Sequence, residues 1–217
     1  RDLHYPLRRQ RQMCIRDRDE GDAYDDLGSH FAMKDYHVFS MDDINSNVVD
    51  HGVALNVNDV PWAYKQMWAP DANEKNGEYF FYFPAKDSLG IFRIGAAKGK
   101  NPTGPFIAEK EPIVGSYSID PSVFKDNDGK YYMYFGGIWG GQLQRWDENN
   151  QYIHSGCETQ DSGIPNSPAI SPRIALMSDD MVSFAEDLKP VRIIDKYGNP
   201  ISVSYTHLRA HETEADL

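Results

Sequence analysis

A motif written twice constrains this chain more than anything else in it. The first copy runs Trp68-Ala69-Pro70-Asp71, then Gly77, then the aromatic run Tyr79-Phe80-Phe81-Tyr82-Phe83. The second runs Ser118-Ile119-Asp120-Pro121-Ser122-Val123-Phe124, then Gly129, then Tyr131-Tyr132-Met133-Tyr134-Phe135. Gly77 and Gly129 stand 52 positions apart. A period near ~50 residues, with aromatic strands and glycine turns, is the signature of a β-propeller blade. Each copy also sets an Asp just ahead of a strand expected to face the propeller axis.

The rest of the middle reads in the same way. Short strands are expected at 31–33, 36–40, 48–49 and 53–57, as the outer part of a first blade. One whole blade is expected within 62–110, with a strand at 91–97 and a Pro/Gly turn at Asn101-Pro102-Thr103-Gly104-Pro105-Phe106. Another is expected within 113–185. There Ser122–Phe124 forms the inner strand, Asp126-Asn127-Asp128-Gly129 turns the hairpin, and 131–135 and 170–177 are further strands. Ser178-Asp179-Asp180-Met181 echoes the turn sequence Ser40-Met41-Asp42-Asp43. Residues 147–168 read as a long polar insertion, and no helix is predicted. The expected fold class is all-β, a fragment of a five-bladed β-propeller.

Composition excludes little but excludes it cleanly. The 217 residues carry a net charge of −11, which repels a phosphate backbone and argues against nucleic acid as a partner. No apolar run reaches the ~20 residues of a membrane span. Cys14 and Cys157 form no CxxC pair, so neither a disulfide framework nor a zinc site follows. His30, His37, His51 and His154 lack metal-ligand spacing. Asp126-Asn127-Asp128-Gly129 opens like a calcium loop, but Gly137 stands where the closing Glu belongs, so a hairpin turn is preferred.

The two ends do not match the middle. Residues 1–18 hold six arginines against Asp2 and Asp17, without strand alternation. Residues 11–18 and 203–213 resemble translated sequencing-adaptor sequence, which belongs outside fold reasoning. The native portion is therefore expected to be 19–202, cut at both ends, with 1–18 and 203–217 as tails that pack poorly. Cellular location stays undetermined.

At Trp68–Asp71 and 118–124 the chain resembles glycoside hydrolase family 43, over about residues 19–202. The resemblance implies a five-bladed propeller that hydrolyses xylose- or arabinose-containing glycans with inversion, using three central carboxylates. Asp120 then corresponds to the carboxylate that tunes and orients the general acid. A nearby negative charge raises the pKa of a carboxyl, so that it stays protonated and able to donate near neutral pH. The family's general base lies in an Asp-Pro context on the first inner strand, and its general acid in Glu-Gly-Pro. The only Asp-Pro here is Asp120-Pro121 and Glu-Gly-Pro does not occur, so both proton-transfer residues are expected to be missing. The resemblance implies no cofactor; a central calcium held by other blades stays open.

Four residues are candidates for the site: Asp120, and for substrate binding Trp68, Asp71 and Trp139. Asp120 alternatively serves as a strand-entry turn residue. Asp71 either binds sugar or braces the blade. Trp68 offers a sugar ring a flat apolar face, or belongs to inter-blade core. Trp139 lies in Gly136-Gly137-Ile138-Trp139-Gly140-Gly141, where the glycines allow close ligand approach or merely a bulge. Trp62 and Trp146 read as packing or rim residues. The expected function is hydrolysis of O-glycosyl bonds, with this chain itself nearly inactive. The rivals are a propeller glycosidase acting on other oligosaccharides and a non-catalytic carbohydrate-binding or structural β-propeller.

Overall fold

The computed structural model describes residues 33–43, 45–137, 139–147, 149–153, 170–192 and 194–199. The tails at 1–18 and 203–217, both cysteines and most of the polar insertion lie outside these residues. Three sheets follow one another along the chain. The first pairs β1 (Asp35–Ser40) with β2 (Val49–Asn56). The second is a four-stranded meander of β3 (Asp71–Lys75), β4 (Glu78–Lys86), β5 (Phe92–Gly99) and β6 (Ile107–Ala108). The third repeats it with β7 (Ser122–Lys125), β8 (Tyr131–Phe135), β9 (Arg173–Leu176) and β10 (Lys189–Pro190). Every pairing is antiparallel. Among the described residues the only helical turns are short 3-10 segments, at Val57–Asp59, Trp139–Gly141 and Leu143–Arg145.

The middle sheet explains the unbroken aromatic run. Side chains alternate across a strand, so a sheet covered on both faces shows no polar face in its sequence. Phe81 and Phe83 point to a core shared with Tyr36, Leu55 and Phe106, and Phe80 and Tyr82 to a second core with Ile94, Met133 and Phe135. In β8 the pattern divides: Tyr131, Met133 and Phe135 are buried, whereas Tyr134 is 39% exposed and Phe124, on the neighbouring β7, 55%. The third sheet thus has one covered and one open face.

The two inner hairpins differ by one residue. Asn76 and Gly77 both have positive φ, 56° and 79°, and close a two-residue turn between Lys75 and Glu78. The second hairpin is longer: Asp126 N donates to Lys130 O at 2.8 Å, and Asp126 accepts from Gly129 N at 2.9 Å. The preferred hairpin reading of this acidic run is what the chain forms. Tyr82 pairs with Asp71, whereas Tyr134, 52 positions later, pairs with Ser122. The counterpart of Asp71 in the third sheet is thus Ser122, and Asp120 stands two positions ahead of β7. The repeated acidic turns are alike: Asp43 Oδ1 accepts from Asn45 N and Asp180 Oδ1 from Val182 N, at 2.8 and 2.9 Å.

Candidate functional site

Antiparallel pairing brings the start of β3, the end of β4 and the start of β5 to one edge of the middle sheet. The third sheet does the same with β7 and β8. The two edges are joined through main chain. Asp71 Oδ2 accepts from Val123 N at 2.6 Å, and Asn73 Nδ2 donates to Val123 O at 2.9 Å. Asp71 and Asn73 are two apart and share a face of β3, so together they satisfy both polar groups of one residue of β7. Further down the same seam, Tyr82 Oη donates to Met181 O at 2.9 Å and Tyr131 Oη to Glu74 O at 3.1 Å. Polar β3 was not legible as a strand, because its side chains bind the neighbouring sheet rather than bury an apolar face.

Burial raises the Asp71 pKa above its ordinary value, opposed by the N–H groups of Val123 and Ala72. The folded state therefore holds this proton more tightly than the unfolded chain. The resulting stabilisation is present below the ordinary value, about 3.8, and is lost as pH rises through the raised one. Asp71→Asn keeps an acceptor for Val123 N and removes the titration. The stability of wild type relative to Asp71→Asn is expected to fall with rising pH, which urea denaturation between about pH 3 and pH 7 checks. Asp71→Ala leaves the Val123 N–H unpaired and is expected to cost about 1–3 kcal/mol.

Asp120 is placed differently. It is partly exposed, and it adopts a left-handed backbone with φ 58°. Ser118, two residues earlier, is left-handed as well, with φ 65°. Such conformations persist only where surroundings impose them, and they cluster at functional sites. Here Ser118 Oγ donates to Gly137 O at 3.0 Å and accepts from Gly137 N at 2.9 Å, while Gly136 N donates to Ile119 O at 2.9 Å. The Asp120 carboxylate lies over Gly137: a Cβ there would stand 3.3 Å from Oδ2.

Trp68 is half-buried on the adjoining edge. Its carbonyl accepts from Tyr36 Oη at 2.6 Å, its N donates to Pro84 O at 3.2 Å, and its ring meets the edge of Phe92 at 6.1 Å. Burial drives the Tyr36 hydroxyl pKa well up, so it remains a donor. Phe92 also carries the fully buried Lys86, whose ammonium lies 5.0 Å from the ring centroid. Trp139 opens a 3-10 turn, and its side chain lies outside the described part of the structure. Trp62 stacks on Phe83 and Trp146 on Tyr117, both as packing residues.

Gln142 shows no motif in sequence, yet it joins the two edges. It is buried, with φ 64°. Its side chain accepts from Phe92 N at 2.9 Å and donates to Gly90 O at 2.8 Å. The segment after β8 is thereby fixed to the β4–β5 turn. Among the described residues no three His, Cys, Asp or Glu side chains are grouped to hold a metal, and no helix is long and apolar enough to cross a membrane.

Meander sheets stacked in sequence, with inner strands side by side and a carboxylate at their entry, define part of a β-propeller. The chain belongs to glycosyl hydrolases family 43, which matches residues 14–164. The propellers of this family have five blades. A xylosidase/arabinosidase from Bacteroides ovatus is 49% identical over 199 residues, covering 90% of this chain and 59% of the relative. A β-xylosidase from Xylanibacter ruminicola is 43% identical over 195 residues, covering 88% and 59%. Among solved structures, a GH43 β-xylosidase/α-arabinofuranosidase from a compost microbial metagenome, in complex with xylotriose, is 59% identical. It aligns with a TM-score of 0.81 over 87% of this chain and 57% of its own. A GH43_1 enzyme from Xanthomonas citri, complexed with xylose, is 41% identical with a TM-score of 0.72, covering 88% and 62%. The chain thus spans about three fifths of the length of these relatives.

Proposed function

We propose that this chain supplies part of the site of an inverting glycoside hydrolase acting on xylose- or arabinose-containing glycans. The observation that carries the reading is the setting of Asp120: a carboxylate outside the ladder, held in a left-handed backbone at the entry to an inner strand, on the edge that adjoins that of Trp68. The relatives named xylosidase or arabinosidase, and the neighbour holding xylotriose, support the substrate class. In this reading Asp120 orients the general acid and raises its pKa. Trp68 and Trp139 offer apolar faces to the sugar rings. Asp71 acts from beneath, by fixing the start of β7 and so the residues just before it.

Inversion needs an acid and a base about 6.5–9.5 Å apart, with a water between sugar and base. Asp120 tunes a proton donor and does not replace one. A protein extended to the length of the relatives is therefore expected to hydrolyse nitrophenyl β-xyloside or α-arabinofuranoside, while the 217-residue chain shows little turnover. Robust hydrolysis by the 217-residue chain would place the proton-transferring carboxylates within it and overturn this assignment. An extended protein that binds xylotriose but cleaves neither substrate would favour a non-catalytic carbohydrate-binding propeller.

A further inference from the structure

The glycines after β8 do more than permit a turn. Neither Gly137 nor Gly141 has the positive φ that would demand glycine, so the reason for them lies in space. A Cβ on Gly137 would stand 2.5 Å from Ile119 Cγ1, and one on Gly141 2.6 Å from the same atom. Real Cβ contacts are not so short. The Ile119 side chain is almost wholly buried, at 6% exposure, and is gripped between the two glycine backbones. The 3-10 turn Trp139–Gly141 bends the chain around it, and Leu143 N closes the bend on Gly137 O at 2.9 Å.

Ile119 sits between the two left-handed residues of the loop, Ser118 and Asp120. The hydroxyl of Ser118 ties the loop to Gly137 on one side, and the Asp120 carboxylate lies over Gly137 on the other. A left-handed backbone is strained for a residue other than glycine, so the loop needs an anchor to keep two of them. We propose that Gly137 and Gly141 form a seat for Ile119, and that this seat positions the Asp120 carboxylate at the site edge. Gly137, Gly141 and Ile119 are then positioning residues. The proposal rests on reading Asp120 as the functional carboxylate.

Gly141 is the cleaner handle, since the atoms nearest a Cβ there belong to Ile119 and Ser118, whereas at Gly137 the Asp120 carboxylate is among them. The test follows the Asp120 side-chain carboxyl by carbon NMR against pH in the 217-residue chain, with the signal assigned by its loss in Asp120→Asn. Gly141→Ala pushes Ile119 out of its seat and is expected to shift the Asp120 midpoint by roughly half a unit or more. Ile119→Ala empties the seat and is expected to shift it too. In the double variant the new methyl fills part of the space that Ile119 Cγ1 and Cδ1 leave, and is expected to bring the midpoint back towards wild type. If the two changes instead add, or if either single variant titrates as wild type, the seat does not position Asp120. Should Gly141→Ala fail to fold, Ile119→Ala and the double variant decide the matter alone. No sugar enters this titration, so its failure unseats the clamp without touching the glycan reading. A failed hydrolysis assay does the reverse.

Discussion

Asp120→Asn, in a protein extended to the length of its relatives, is expected to lower kcat on nitrophenyl pentosides by about 10²-fold, or about 2.7 kcal/mol. Asn is close to Asp in shape, so the backbone at φ 58° and the contact with Gly137 should survive. The negative charge goes. A general acid next to a carboxylate has its pKa raised, and removing that charge lowers it. The acid must be protonated to act, so its pKa sets the alkaline limb of the pH–rate profile. That limb is therefore expected to move to lower pH in the variant. KM should change less than kcat, because the effect falls on proton donation rather than on holding the sugar. A loss confined to KM, with the alkaline limb unmoved, would make Asp120 a sugar ligand instead.

Tyr117→Ala is expected to cost about 3–5 kcal/mol of stability, as for other buried aromatic truncations. Tyr117 is fully buried three residues before Asp120. Its ring lies flat on Trp146, with centroids 4.0 Å apart and planes 9° from parallel, and meets the edge of Phe135 at 5.4 Å. The guanidinium of Arg93 lies 5.2 Å from the other ring of this stack, and that of Arg173 5.9 Å from Tyr117 itself. Such a stack exceeds its buried area in worth, through the ring quadrupoles and the cations over them. The Tyr117 hydroxyl donates to Asn150 Oδ1 at 2.6 Å. Burial raises its pKa, against the pull of Arg173, so it stays a donor at neutral pH. Tyr117→Phe keeps the stack and loses one hydrogen bond, an expected cost of about 1 kcal/mol. Thermal melts of the two variants should therefore differ by roughly 5–10 °C. Equal melting temperatures would show that the stack contributes little.

Much of the fold was legible because it rests on local signals. Glycine at 77 and 129, and the aromatic runs behind them, mark hairpins whose twist and burial follow from a few neighbouring residues. The place of Asp120 just ahead of an inner strand was legible from its motif, and the hairpin at 126–129 from its turn chemistry. Other features depend on partners far along the chain. Asp-Ala-Asn-Glu-Lys of β3 carries no apolar alternation; it is a strand because β4 pairs with it and because Asp71 and Asn73 grip Val123. The two motif aspartates stand at different distances from their hairpin glycines, six residues before Gly77 and nine before Gly129, and pairing leaves Asp71 inside a ladder and Asp120 two positions ahead of one. The glycine run at 136–141 was legible as a place of close approach, but that the Ile119 side chain is what approaches Gly137 and Gly141 was not. The chain by itself determined the hairpins, the blade period and the carboxylate. Only the tertiary structure decided which aspartate braces the neighbouring sheet and which one lies outside the ladder. Hairpin geometry is set by adjacent residues, whereas a side chain's role is set by whatever main chain the neighbouring sheet brings within ~3 Å of it.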